Sequence, residues 1–216
     1  MKTLGILGGM GPAATVAFLE RVQALTPAGR DQDHIRVIAD INPQVPDRNT
    51  DAAAAEAVLG EMAVRLRDAG AQVLAMPCNT AHVFAGAVRS AGLPFIDMVD
   101  ATVDAARATG ARTVGVLATP GGEALYRPRL EAAGMTVVLL EGEDRAAFMA
   151  LIYGVKRGEI GEVARAGMRR VAATLDAEAM VAGCTEVPLL LGPGDVAVPL
   201  VDSAEVLAAA CVAACL

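Results

Sequence analysis

Along the first half of the chain, short and mainly apolar runs alternate with longer stretches in which apolar residues recur every three or four positions. The short runs are Thr3–Leu7, Ile35–Ile41, Gln72–Met76 and Pro94–Ile96, and the longer ones Pro12–Leu25, Asp51–Ala69, Thr80–Ser90 and Ala101–Ala108. The first kind is the pattern of a strand buried on both faces, the second that of a helix with one buried face. The same alternation then starts again. Strands are expected at Thr113–Leu117, Met135–Leu140, Glu178–Ala182 and Val198–Val201, and helices at Gly122–Ala133, Arg145–Tyr153, Ile160–Leu175 and Ser203–Cys215. Strand–helix alternation of this kind predicts an α/β fold on parallel sheets.

The two series also match residue by residue. Thr3-Leu-Gly-Ile-Leu answers to Thr113-Val-Gly-Val-Leu, 110 positions on. Ala71–Thr80, ending in Cys78-Asn-Thr, answers to Ala177–Glu186, ending in Cys184-Thr-Glu, 106 positions on. Pro94-Phe-Ile-Asp97 answers to Pro199-Leu-Val-Asp202, 105 positions on. Matches in one order at a nearly constant offset mark an internal duplication. The repeat predicts two pseudo-symmetric three-layer α/β/α domains, each around a mainly parallel four-stranded sheet. Residues 1–98 would form the first, with the closing helix 203–216 packed on it, and residues 99–202 the second.

Composition narrows the function. The 216 residues are 54% apolar and 20% charged, with a net charge of −7, which argues against a nucleic-acid partner. No apolar run reaches the ~18 residues of a membrane span, and Met1–Gly11 lacks the layout of a signal peptide. A cytoplasmic location is the expectation. With 3% aromatic residues and no Trp, stacking on large rings is disfavoured, so the substrate should be small and polar. Lys2 and Lys156 are the only lysines among 18 basic residues, which leaves a pyridoxal-phosphate Schiff base one plausible anchor.

Four cysteines in a chain of this size do not form a disulfide framework. Cys211 and Cys215, four apart in an apolar closing helix, read as small core residues. Cys78 and Cys184 are different. Both fall where a strand ends and a helix should begin, at the sheet edge where parallel α/β folds bind ligands. A helix N-terminus there would draw a thiol towards useful acidity, and Asn79, Thr80 and Thr185 are capping residue types, with Pro188 suited to an early helical position. Duplication would set the two thiols facing one ligand across a cleft. Inversion at a carbon needs a proton removed on one face and another delivered on the opposite face, and two opposed acid/base groups do this directly.

At this point the chain resembles the aspartate/glutamate racemase superfamily over nearly its whole length. The likeness is carried by Gly5-Ile-Leu-Gly-Gly-Met-Gly-Pro-Ala-Ala-Thr15, Asn42-Pro-Gln-Val-Pro-Asp-Arg48 and Met76-Pro-Cys-Asn-Thr-Ala-His82. Leu117-Ala-Thr119, Ile152-Tyr-Gly-Val-Lys156 and Gly183-Cys-Thr-Glu-Val-Pro188 extend it, and the Pro-Asp-Arg and Tyr-Gly-Val-Lys segments resemble the aspartate branch. The resemblance implies racemisation of aspartate without a cofactor, by Cys78 and Cys184, in a homodimer with the active site at the domain interface. It also implies that Arg48 and Lys156 bind the substrate's carboxylates, with Met10, Asn79, Thr80, Thr119, Thr185 and Glu186 lining the site. Arg48 and Lys156 lie 108 apart, near the repeat offset, which fits a dicarboxylate with one cation per half. Two departures from the family are Pro120-Gly121-Gly122 after Thr119 and a short segment after Arg48.

Alternatives remain. A racemase of glutamate or of a broader range of amino acids would use the same thiols, and a silent dicarboxylate-binding protein would need neither. Gly9-Met-Gly11-Pro-Ala-Ala14 fits a loose dinucleotide pattern with Asp40 as the ribose acid, but the glycine loop reads better as an approach for a small anion. His82 reads as a packed residue rather than a proton relay. Zinc on Cys78, His82 and Cys184 would lack a fourth ligand.

Overall fold

The computed structural model describes residues 1–47 and 51–216. These form two compact units, one of Met1–Ala101 with Ala204–Leu216 and the other of Thr102–Ser203. The first carries β1 (Leu4–Gly8), α1 (Pro12–Leu25), β2 (Val37–Ile41), α2 (Ala52–Asp68), β3 (Val73–Ala75), α3 (Ala85–Arg89) and β4 (Phe95–Ile96). The second carries β5 (Thr113–Leu117), α5 (Pro120–Ala132), β6 (Thr136–Leu139), α6 (Gly142–Lys156), α7 (Glu162–Ala172), β7 (Ala179–Ala182) and β8 (Leu200–Asp202). Helix α4 (Met98–Ala108) runs across the division, and α8 (Ser203–Cys215) returns the chain to the first unit.

Each unit has a four-stranded parallel sheet, in the order β2-β1-β3-β4 and β6-β5-β7-β8. The expected α/β class is the observed one, and the strand order is the same twice.

Strand β1 shows why the first sheet needs helices on both faces. Successive side chains point to opposite sides. Leu4 and Ile6 enter a cluster with Phe18 and Val22 of α1 and Leu207, Ala208 and Cys211 of α8. Leu7 enters another with Leu59, Met62 and Leu66 of α2. A strand buried on both faces cannot show polar alternation, hence its unbroken apolar sequence. In the second unit, Leu117, Met180 and Ala182 pack with Phe148 and Ile152 of α6 and Met168 and Val171 of α7. Cys211 and Cys215 are buried, and burial pushes the Cys211 thiol up, with Cys215 adding to the effect. They are core residues.

Some boundaries differ from expectation for local reasons. Strand β8 starts at Leu200 rather than Val198, because Pro199 has no N–H for the ladder, although its carbonyl still accepts from Met180 N at 2.8 Å. Helix α5 starts at Pro120, not Gly122. A proline fits the first helical turn, where its missing N–H has no intrahelical acceptor, and Thr119 Oγ1 caps the helix from Gly122 N at 3.3 Å. Helix α6 extends to Lys156, placing that residue on its last turn.

The largest difference follows the two cysteines. The α-helix expected from Thr80 begins only at Ala85, after a 3-10 segment Thr80–Phe84. After Cys184 there is only a 3-10 turn, Val187–Leu189. Neither sulfur therefore precedes a long helix directly, and the dipole argument for its acidity loses most of its force.

Candidate active site

Both short turns have a visible cause at the cysteine carbonyl. In an α-helix that oxygen would accept from the backbone N–H four residues on. Four residues after Cys78 is His82, whose ring Nδ1 lies 2.9 Å from Cys78 O, while its backbone N–H goes to Asn79 O at 3.0 Å. Four residues after Cys184 is Pro188, which has no N–H, so Val187 N bonds Cys184 O at 3.0 Å. A side chain in one half and a proline in the other produce the same tightened turn.

The ring of His82 is spoken for on both nitrogens. Met98 N donates to its Nε2 at 3.1 Å, so Nε2 is the acceptor and Nδ1 carries the proton given to Cys78 O. The buried imidazole thus ties the end of β3 to the start of α4. With both nitrogens engaged it is a clamp, and neither a relay nor a metal ligand. Among the described residues, no three His, Cys, Asp or Glu side chains are grouped to hold a metal ion.

Beside Cys78 the first unit places a rigid loop. Gly9 has φ +97°, and a Cβ there would come within 2.4 Å of the Asn42 backbone, so only glycine lets the two loops meet. Thr15 straps the loop from inside, its Oγ1 accepting from Gly9 N at 2.9 Å and donating to Gly11 O at 3.0 Å. Met10, Val45 and Cys78 share one buried cluster. Asn79 is buried and Thr80 half-buried immediately after the sulfur. Asp40, which the dinucleotide reading needed on a ribose, is paired with Arg65 at 3.0 Å. Arg48 lies outside the described residues.

In the second unit the sulfur has a carboxylate partner. The Cys184 thiol donates to Glu186 Oε2 at 3.0 Å, and the Thr185 hydroxyl donates to the same oxygen at 3.3 Å. All three residues are buried. Glu186, expected from the sequence to line the site, is thus hydrogen-bonded to the thiol. The position of Cys184 is set from beneath by close packing. A Cβ on Gly183 would sit 2.8 Å from the Tyr126 ring, and one on Gly122 would sit 3.2 Å from Gly183 O. The absence of a side chain at Gly122 thus lets the start of α5 pack against the backbone that leads into Cys184. Lys156 is exposed, with its ammonium 5.5 Å from the Tyr153 ring centroid, while its neighbour Val155 packs in the cluster that holds Cys184.

Two features had no sequence signal. Ser203 Oγ donates to Ala182 O at 2.7 Å, fastening the strand that leads to Cys184. Glu123, one turn into α5, pairs with Arg145 at 2.7 Å, but its Oε1 is buried without a partner among the described residues. Burial raises its pKa from the usual carboxylate value, with Arg145 acting against that.

The chain is similar to known racemases in sequence and in fold. Residues 7–211 match the family model described as Asp/Glu/hydantoin racemase. The chain is 26% identical to the broad specificity amino-acid racemase RacX of Bacillus subtilis (strain 168), over 95% of its own length and 94% of the relative's. It superposes on the aspartate racemase of Picrophilus torridus with a TM-score of 0.89 at 29% identity, covering all of this chain and 94% of the other. The glutamate racemase of Francisella tularensis, at 18% identity and TM-score 0.72, covers 96% of this chain and 78% of its own, and shares the fold. The chain belongs to the Asp/Glu/hydantoin racemase family and is an enzyme of that class.

Proposed function

We propose that the protein interconverts the enantiomers of aspartate without a cofactor, using Cys78 and Cys184 as the two acid/base groups. One thiolate takes the Cα proton, and the other thiol returns a proton to the opposite face. The observation that carries this reading is the pair of tightened turns. Cys78 and Cys184 stand at equivalent strand ends, and in each case the residue four places on reshapes the turn beside the sulfur. A core cysteine needs no such device.

The Cα proton of an amino acid is very weakly acidic, so charge developing on the carboxylate must meet fixed donors. Arg48 and Lys156 are assigned to the two carboxylates of the substrate, and Met10, Asn79, Thr80, Thr119 and Thr185 to its surroundings. The likeness to the aspartate racemase of Picrophilus torridus favours aspartate. The likeness to the broad specificity racemase of Bacillus subtilis supports a second reading, a racemase of several amino acids.

Chiral chromatography with L-Asp, L-Glu, L-Ala and a wider panel, without added pyridoxal phosphate, separates these readings. Aspartate should be converted fastest and alanine poorly. Comparable rates across the panel would select the broad reading. Activity restored only by pyridoxal phosphate would overturn cofactor independence.

A further inference from the structure

We propose that the groove between α6 and α7 is a second ligand site, apart from the cysteines, and that it takes a free α-amino acid with a large apolar side chain. This goes beyond racemisation and does not depend on it. The two helices are joined by five residues, 157–161, and lie side by side as an antiparallel hairpin. Between them is a cavity of about 850 Å³, a size typical of small-molecule sites. Thr119, Cys184, Thr185 and Glu186 are not among its lining residues.

The walls of the groove are apolar on the side of the hairpin that the core does not use. Helix α6 turns Phe148 and Ile152 into the core of the second unit, and α7 turns Met168 and Val171 into it. On the outer side Ala147, Ala150 and Leu151 of α6 face Val163 and Ala164 of α7 across the cavity, and Val163 is 87% exposed. The floor is formed where the helices come closest. A Cβ on Gly167 would lie 3.0 Å from Leu151 Cδ2, so a side chain there would push the helices apart.

Charge selects the occupant. Of the charged residues on the lining, Arg157 is paired with Glu159 at 2.8 Å, and Glu162 is paired with Arg169. The side chains of Asp144 and Arg170 make no ion pair among the described residues. They lie towards the same end. Thr174, one turn beyond Arg170, lines the groove together with Asp144, and both also border a neighbouring cavity of about 420 Å³. The guanidinium of Arg170 leans back over the floor, with Nη2 at 3.8 Å from where a Gly167 Cβ would be. A carboxylate and a guanidinium at one end of an apolar groove complement the ammonium and carboxylate that an α-amino acid carries on a single carbon. The side chain of such a ligand would run along Leu151 towards Val163. A fatty acid would leave Asp144 unmatched, and an apolar amine would leave Arg170 so. Aspartate would set its second carboxylate against apolar walls, which disfavours it here.

The test uses L-tryptophan, which reports its own binding because the chain contains no Trp. Titrated into the substrate-free protein, it should show a saturable blue shift of indole emission as the ring leaves water. Arg170→Ala and Asp144→Ala should each weaken binding at least about tenfold, as expected for loss of a charged hydrogen bond. On the wild-type protein, tryptamine and indole-3-propionate each lack one of the two charges and should also bind at least about tenfold more weakly. Excess L-aspartate should not displace the tryptophan. Absence of a saturable shift, unchanged affinity in either variant, or displacement by L-aspartate overturns the proposal. If a variant does not fold, as judged by circular dichroism, the three indole ligands on the wild-type protein decide, and equal affinities for them overturn it. No turnover is measured, so failure of this site leaves the racemase reading untouched.

Discussion

The carbonyl of Cys78 takes its hydrogen bond from an imidazole, whereas that of Cys184 faces a proline with no N–H to give. Each arrangement denies the oxygen its α-helical partner, and a 3-10 turn follows in both halves. What is common to the halves is thus a backbone geometry at the sulfur, reached through unrelated residues. The neighbouring position has diverged further. Two residues past the cysteine, one half has Thr80 and the other Glu186, which is bonded to the sulfur itself. The halves are alike in the tightened turn after each thiol and unlike in the residues that produce it, and that difference can be tested from several sides.

The largest effect should come from removing either sulfur. If every turnover uses one sulfur as base and the other as acid, as proposed, Cys78→Ala and Cys184→Ala should each lower racemisation by at least about 10³-fold in both directions. Serine substitutions should fare little better, a hydroxyl being far too weak an acid. Polarimetry with each enantiomer as starting material checks this.

The clamp on the first half comes next. His82→Ala leaves the Met98 N–H and the Cys78 carbonyl without the ring, in a buried place. It should cost about 2–4 kcal/mol in urea unfolding, from two buried backbone groups losing their partner. If the clamp is as described, the turn after Cys78 should also relax towards an α-helix, visible as slowed amide exchange at residue 82.

Arg48→Ala and Lys156→Ala should each cost about 1.5–3 kcal/mol in kcat/KM for aspartate, the range for a charged hydrogen bond. Alanine turnover should suffer less from one of the two losses, because alanine has only one carboxylate. Equal losses with alanine and aspartate for both variants would sink the two-cation assignment.

The smallest effect is expected at Pro188. Pro188→Ala restores an N–H opposite the Cys184 carbonyl in the half that has no histidine clamp. Stability should change by less than about 1 kcal/mol, since proline at the first turn of a helix is nearly neutral. Activity should fall more than stability if the 3-10 turn matters. Parallel losses in both would point to packing alone.

Much of this was legible in the chain. The repeat offsets located both cysteines at strand ends, and Pro188 was visible as an early helical residue, though not as the cause of a tightened turn. Burial on both faces made the strands readable as unbroken apolar runs, and the same property hid their ends, as Pro199 shows at β8. The role of His82 required knowing which backbone groups lie at 2.9 and 3.1 Å from its ring, and no spacing rule encodes the approach of Met98, sixteen residues away. Glu186 was found by its motif as a site residue, but its bond to the thiol was not legible, because a carboxylate two residues from a thiol can point either way. Glu123 and Arg145 meet through tertiary packing between two helix starts, which leaves no periodic trace.

Proton exchange at Cα tests the pairing of Cys78 and Cys184 most directly. Each single alanine variant, incubated in D₂O with pure L- or pure D-aspartate, keeps one base and lacks the opposing acid. It should wash deuterium into one enantiomer without inverting it, as seen by loss of the Cα proton signal with unchanged optical rotation. Cys78→Ala and Cys184→Ala should select opposite enantiomers. Exchange of the same enantiomer by both variants, or near-normal racemisation by either, would contradict a mechanism in which the two sulfurs serve opposite faces of one carbon.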